Sequence, residues 1–103
     1  MKKDFNMQEF RGSELFDRIV NLTLGLDHYL RSTPERDDAD YYDGLRFYTL
    51  QIEAYEVALT YITGLFVSLA LEDKYVGFYA VCEGEELWLF KHEYTEDGYK
   101  RLI

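Results

Sequence analysis

Nine apolar residues, Tyr41, Leu45, Tyr48, Ile52, Tyr55, Leu59, Ile62, Phe66 and Leu69, follow one another in steps of four and three without a miss. This is the interval at which side chains stack on one face of an α-helix, and the pattern of helix-on-helix packing. No other feature of the chain constrains its fold as much. At 100° per residue a second apolar face lies beside the first, made of Phe47, Leu50, Ala54, Val57, Ala58, Tyr61 and Leu65. A helix built this way must be covered on two sides. Only a ribbon of Glu35, Asp38, Tyr42, Arg46, Thr49, Glu53, Glu56, Thr60 and Thr63 is left for water.

The start of this helix is expected at Pro34. Ser32 or Thr33 supplies an N-cap oxygen, and proline suits the first helical position because its missing N–H is not needed there. Continued to Leu71, a helix over 34–71 measures about 55 Å at 1.5 Å per residue, longer than a domain of this size. It must therefore bend or find a partner. Gly44 and Gly64 are the candidate breaks, and without a break the doubly apolar surface predicts a homodimer through this helix.

An earlier helix is expected over about 7–31. Asn6 and Glu9 have capping-box spacing, and Phe5 with Phe10 has that of a hydrophobic staple. Gly12 and Ser13 would delay its start by two turns. Leu15, Ile19, Leu22, Leu26 and Tyr29 form its seam. After "EDK" at 72–74 the period shortens to two. "YVGFYAVC", "LWLFKHEY" and "YKRLI" read as strands, joined at Glu83-Gly84 and Asp97-Gly98, pairs suited to tight hairpin turns. Val76, Phe78, Ala80 and Cys82 are expected on one face, as are Trp88, Phe90, His92 and Tyr94 on the neighbouring strand. The sheet is expected to rest on part of the long helix's second face.

The fold class expected is α+β. Two antiparallel helices, the second long, precede a three-stranded antiparallel meander over about 75–103, in the order α-α-β-β-β, as one domain spanning 1–103. A length of 103 residues with 48% hydrophobic content supports one modest core.

Twenty acids against eleven bases give a net charge of −9. That argues against direct binding to nucleic acid or to an anionic membrane, and makes a basic partner the natural one. The lone Cys82 excludes an intramolecular disulfide. The N-terminus "MKKDFNMQEF" lacks the apolar run of a signal peptide, and "VALTYITGLFVSLAL" falls short of a spanning helix. A cytoplasmic location is the expectation.

No catalytic signature stands out. Asp38, Asp40, Asp43 and Gly44 suggest a calcium loop, but an EF-hand opening at Asp38 finds Tyr42, Asp43 and Thr49 where an oxygen ligand, glycine and Glu belong. His28, His92 and Cys82 have no chelating interval among them. There is no nucleophile elbow, P-loop or dinucleotide fingerprint. Glu53 and Glu56 sit a turn apart, a spacing that general acid/base work could use, but a solvated face explains that spacing better in so acidic a chain. Neither enzyme activity, metal nor cofactor is expected.

The remaining reading is protein binding. Glu35 and Asp37, with Asp38, suit the positive end of a helix dipole. Asp40 and Asp43 lie beyond the first turn, and Tyr42 falls on the polar ribbon as an amphipathic anchor. Asp38, Asp40, Tyr42, Asp43, Glu53 and Glu56 are thus the candidate partner contacts. Carboxylates a turn apart on one helix face approximate a line of phosphates. In size and composition, rather than in any motif, the chain resembles phage-encoded inhibitors of host nucleic-acid machinery, including the small anti-CRISPR proteins. That resemblance implies a non-enzymatic inhibitor, acting in the host cell cytoplasm, that occludes a basic nucleic-acid-binding site. The alternative is a structural or regulatory module forming a helical homodimer.

Overall fold

The computed structural model describes residues 1–35 and 37–103. Its elements run α1 (Met7–Arg11), α2 (Glu14–Ser32), α3 (Ala39–Thr63), β1 (Val67–Leu71), β2 (Tyr75–Cys82), β3 (Glu85–Thr95) and β4 (Gly98–Arg101). The fold is α+β, helices first and an antiparallel sheet after them. The sheet has four strands in sequential order, one more than the meander expected.

The first helix divides in two. Asn6 caps α1 through its side chain to the Glu9 N–H, and Phe5 packs against Phe10 at 5.8 Å between ring centroids. Gly12 then ends this short helix, and Ser13 caps α2 by accepting from the Phe16 N–H. Of the seam expected for α2, Ile19 and Leu26 are buried and Leu15, Leu22 and Tyr29 half-buried, while Phe16, outside that seam, is buried in the core.

The long helix is shorter than expected at both ends. Ser32 does not open it. That residue still belongs to α2, where its hydroxyl donates back to the His28 carbonyl, and Thr33 is the C-cap. A start at Pro34 leaves a single residue in which to reverse the chain. Asp38 is the N-cap instead, its carboxylate accepting from the Tyr41 N–H at 2.9 Å. The glutamate and aspartate expected in the first turn, Glu35 and Asp37, therefore precede the helix; Arg36 between them lies outside the described residues.

At the other end α3 passes through Gly44 and stops at Gly64, whose φ of 74° is the left-handed cap conformation; its N–H closes on the Thr60 carbonyl. The buried Thr63 hydroxyl donates to the Leu59 carbonyl and accepts from the Leu65 N–H, which helps turn the chain out. Residues 67–71, "VSLAL", fit both periods, and beyond Gly64 they pair with β2 as an added strand. At 25 residues α3 measures about 37 Å, within the 46 Å long axis of the molecule.

Seen from the sheet, Val67, Val76, Phe78, Ala80, Leu89 and Phe90 meet Phe16, Ile19, Leu26, Ile52 and Leu59 in the core. The β2–β3 pairing slips between Phe78 and Tyr79, so that Phe78 faces Phe90 while Tyr79 faces Trp88. This bulge corrects the expected face of β3. Trp88 turns to the outer surface beside Tyr79, at 5.3 Å between rings, whereas Phe90 and His92 stay on the helix side. Arg11 spans the bulge, donating to the carbonyls of Leu89 and Trp88 at 3.0 and 2.8 Å. Gly77 lies beneath it, where a Cβ would stand 2.1 Å from the Phe90 carbonyl oxygen. The β2–β3 turn has positive φ at both Glu83 and Gly84, the type I′ arrangement.

A buried cluster ties α2 to the far end of the sheet. The Asp27 carboxylate accepts from Arg31 at 2.6 Å and from the Tyr99 hydroxyl at 2.5 Å. Arg31 also donates to the Glu72 and Asp73 carbonyls and lies over the Tyr94 ring. None of these partners is near in sequence to Asp27 except Arg31, so no local motif announces them.

Candidate protein-interaction surface

Most of the second apolar face of α3 is left uncovered, Ala58 and Leu65 being its half-buried members. Phe47, Leu50, Val57 and Tyr61 are 63%, 55%, 72% and 76% exposed, and Phe66 just past the helix is 83% exposed. Ala54 is exposed among them. The reason is geometric. Because the sheet begins at Val67 rather than after Lys74, β1 packs along the flank of α3, and α2 with the sheet takes the face carrying Tyr41, Ile52 and Leu59.

The six expected contact residues fall into two groups on α3. Asp38, Asp40, Tyr42 and Asp43 occupy its first turns. Asp38 serves as the N-cap, whereas Asp40 and Asp43 are exposed and, among the described residues, carry no ion pair. Tyr42 is exposed, its ring set edge-on against the buried Tyr41 at 5.5 Å. Tyr41 in turn stacks on Tyr29, whose hydroxyl donates to the Tyr41 carbonyl. Tyr29 and Tyr41 therefore fix the α2–α3 contact, while Tyr42 faces out.

Glu53 and Glu56 form the second group, about 15 Å further along the helix from Asp43. Both line an open groove of about 350 Å³, with Val57, Thr60, Phe66 and Val67 as its other walls. Glu53 is exposed. Glu56 is half-buried, its carboxylate accepting from the Leu69 N–H at 3.4 Å. Thr60 accepts from the Val67 N–H at 3.0 Å. These two side chains satisfy outward N–H groups of β1, an edge strand that would otherwise offer them to another chain. Part of the polar ribbon thus holds the sheet, a role the helical pattern alone could not reveal.

The groove presents carboxylate oxygens beside an apolar wall. Phe66 and Val67 enter it because the chain leaves the helix at Gly64, so they were hidden from a reading that kept both residues helical. The uncovered apolar face left a visible signal in the sequence, namely more apolar helix surface than one small sheet can cover.

Among the described residues, no group of three His, Cys, Asp or Glu side chains is placed to hold a metal ion. No described helix is long and apolar enough to cross a membrane. His92 is buried, with no hydrogen-bond partner for Nδ1 among the described residues; burial, reinforced by Arg101, pushes its pKa down and favours the neutral ring. Burial, and then the bond to Asp27, pushes the Tyr99 pKa up. Both effects belong to the core. Comparison with family models, with curated proteins and with solved structures finds no match, so the surface is interpreted from this chain's own residues.

Proposed function

We propose that the protein is a non-enzymatic, acidic inhibitor that binds the basic, nucleic-acid-binding surface of another protein. The observation that carries this reading is the groove in which Glu53 and Glu56 face an apolar wall of Val57, Phe66 and Val67. A lysine or arginine side chain suits both halves of it: the charged head meets carboxylates and the aliphatic stem lies on the apolar wall. Asp40 and Asp43 continue the negative charge toward the start of the same helix, with Tyr42 beside them as an anchor. The net charge of −9 draws a cationic surface in from a distance. Spaced carboxylates on a rigid helix then take the place of phosphates, the mode of action expected of a phage-type, anti-CRISPR-like or other anti-defence protein in the host cytoplasm.

The test is a cleavage or DNA-binding assay on a panel of basic nucleases with the purified protein added. Inhibition that weakens steeply with salt, and is lost in Glu53→Lys and Asp43→Lys, supports the proposal. Glu53→Lys is the clean variant of the groove because Glu56 also caps β1. Inhibition indifferent to salt and to both reversals refutes charge mimicry.

A further inference from the structure

We propose that two copies of the chain pair antiparallel through the outer face of α3, crossing at Ala54. Phe47, Leu50, Ala54, Val57 and Tyr61 are spaced three, four, three and four residues apart. They fall within an arc of about 80° at 100° per residue, opposite the face buried in the core. The seam is exposed along its length, with Lys2 over the Tyr61 ring at one end. Their exposures correspond to on the order of 600 Å² of apolar surface, at the upper limit of what a monomer leaves bare. With a polar rim added, the area approaches the roughly 800 Å² that each partner gives to a standard interface.

The charge along the seam selects a second copy and its direction. Asp43 extends the seam one step before Phe47 and Asp40 lies on one flank, with Arg46 on the other, so the start of the seam carries a net negative charge. Its far end is basic. The Lys2 N–H donates to the Thr63 carbonyl at 2.7 Å, which pins the N-terminal segment there, and the Lys2 ammonium lies 4.3 Å over the Tyr61 ring. Antiparallel pairing about Ala54 sets Phe47 against Tyr61 of the copy and Leu50 against Val57, and brings Asp43 to Lys2. It also opposes the two helix dipoles. Parallel pairing instead places Asp43 against Asp43 and Lys2 against Lys2. The small side chain of Ala54 at the crossing permits an interaxial distance of about 8 Å, and one two-fold axis closes the assembly. Glu53 on the rim meets its own copy across that axis, the one unfavourable pair in the arrangement.

The proposal rests on the apolar seam, but Val57 and Glu53 also line the carboxylate groove and Asp43 belongs to the inhibitor surface. A second copy and a basic partner therefore compete for this face, and the oligomeric state without any partner present tests the dimer separately from inhibition. Sedimentation equilibrium or light scattering over a dilution series tests it. The expected mass is twice 12.3 kDa, falling to that of one chain on dilution. Val57→Asp should raise the dimer Kd by about 30-fold or more without changing the circular dichroism spectrum or the melting temperature of the monomer. Asp43→Lys and Lys2→Glu should each weaken the dimer while together restoring it, and Glu53→Gln should tighten it. A single-chain mass at every concentration overturns the proposal and leaves the seam to a different protein. A dimer indifferent to Val57→Asp places the interface elsewhere, and a charge swap that fails to restore pairing overturns the antiparallel direction.

Discussion

Replacing Gly64 by alanine tests what stops the long helix. The seam of apolar residues continues through Ile62, Phe66 and Leu69, yet the helix ends at Thr63 and residues 67–71 become a strand. If the left-handed cap is decisive, alanine meets two costs. A non-glycine residue at φ 74° loses about 1–2 kcal/mol. A Cβ placed there stands 2.9 Å from Lys2 Cγ and 3.3 Å from the Lys2 backbone nitrogen, whose N–H is held by Thr63. Easing that contact costs about 1 kcal/mol, while the stiffer unfolded chain returns about 0.4–1 kcal/mol. The net is about 1.5 kcal/mol, a fall of roughly 5–10 °C in Tm for a domain this size. Gly64→Asn separates the two costs, because its Cβ makes the same contact while asparagine tolerates the left-handed region better. Thermal unfolding followed by circular dichroism should therefore rank Gly above Asn above Ala. An alanine variant as stable as the parent, or one that gains helix without losing Tm, refutes the cap as the cause. The strand pairing of 67–71 would then be what ends α3.

His92 gives a pH-dependent outcome. Its folded pKa lies below the ordinary 6.5, so the unfolded chain takes up the proton first. Stability is unaffected by this group while both states are neutral, and is lost as pH falls from about 6.5 toward the folded value. His92→Phe should remove that part of the pH dependence and raise Tm at pH 6 relative to the parent, measured against the same pair at pH 8; equal differences at the two values would contradict the buried neutral ring. Tyr99→Phe deletes the hydroxyl bonded to Asp27 while keeping the ring, and should cost about 1.5–3 kcal/mol, the range for a bond to a charged group, by urea denaturation. A cost below about 0.5 kcal/mol would show that Arg31 alone suffices to satisfy Asp27.

The sequence patterns that proved legible share a property: their determinants lie within a few residues of one another. Asn6 with Glu9 and the hairpin at Glu83-Gly84 are local, and each is found where its spacing placed it. The seam of α2 is local too, but the buried face is turned by about one position, taking in Phe16, Thr23 and Asp27 beside Ile19 and Leu26. The failures are of two kinds. Ser32-Thr33-Pro34 satisfies the rules for a helix start, but α2 needed Ser32 and the chain needed room to reverse, so Asp38 took the cap. Residues 65–71 satisfy both the helical and the strand period, and only pairing with β2 decides between them. That decision carried the candidate surface with it. Once Val67 opened a strand, Glu56 and Thr60 were drawn to its edge, Phe66 entered the groove, and the second face of α3 lost the cover expected for it. The bulge that turned Trp88 outward depends on register across two strands, which no single-strand pattern encodes.

The grip of Arg11 on the Trp88 and Leu89 carbonyls bears on the order in which the molecule is completed during synthesis. A five-residue helix has too few internal bonds to persist alone. α1 leans on α2 through Phe10 against Phe16, and its Arg11 must wait for β3, made 77 residues later. A segment made before the rest of this fold is thus among the last to be fixed. Until β3 has emerged and formed its bulge, Arg11 has no carbonyls of β3 to hold, and α2 and α3 can associate ahead of that contact.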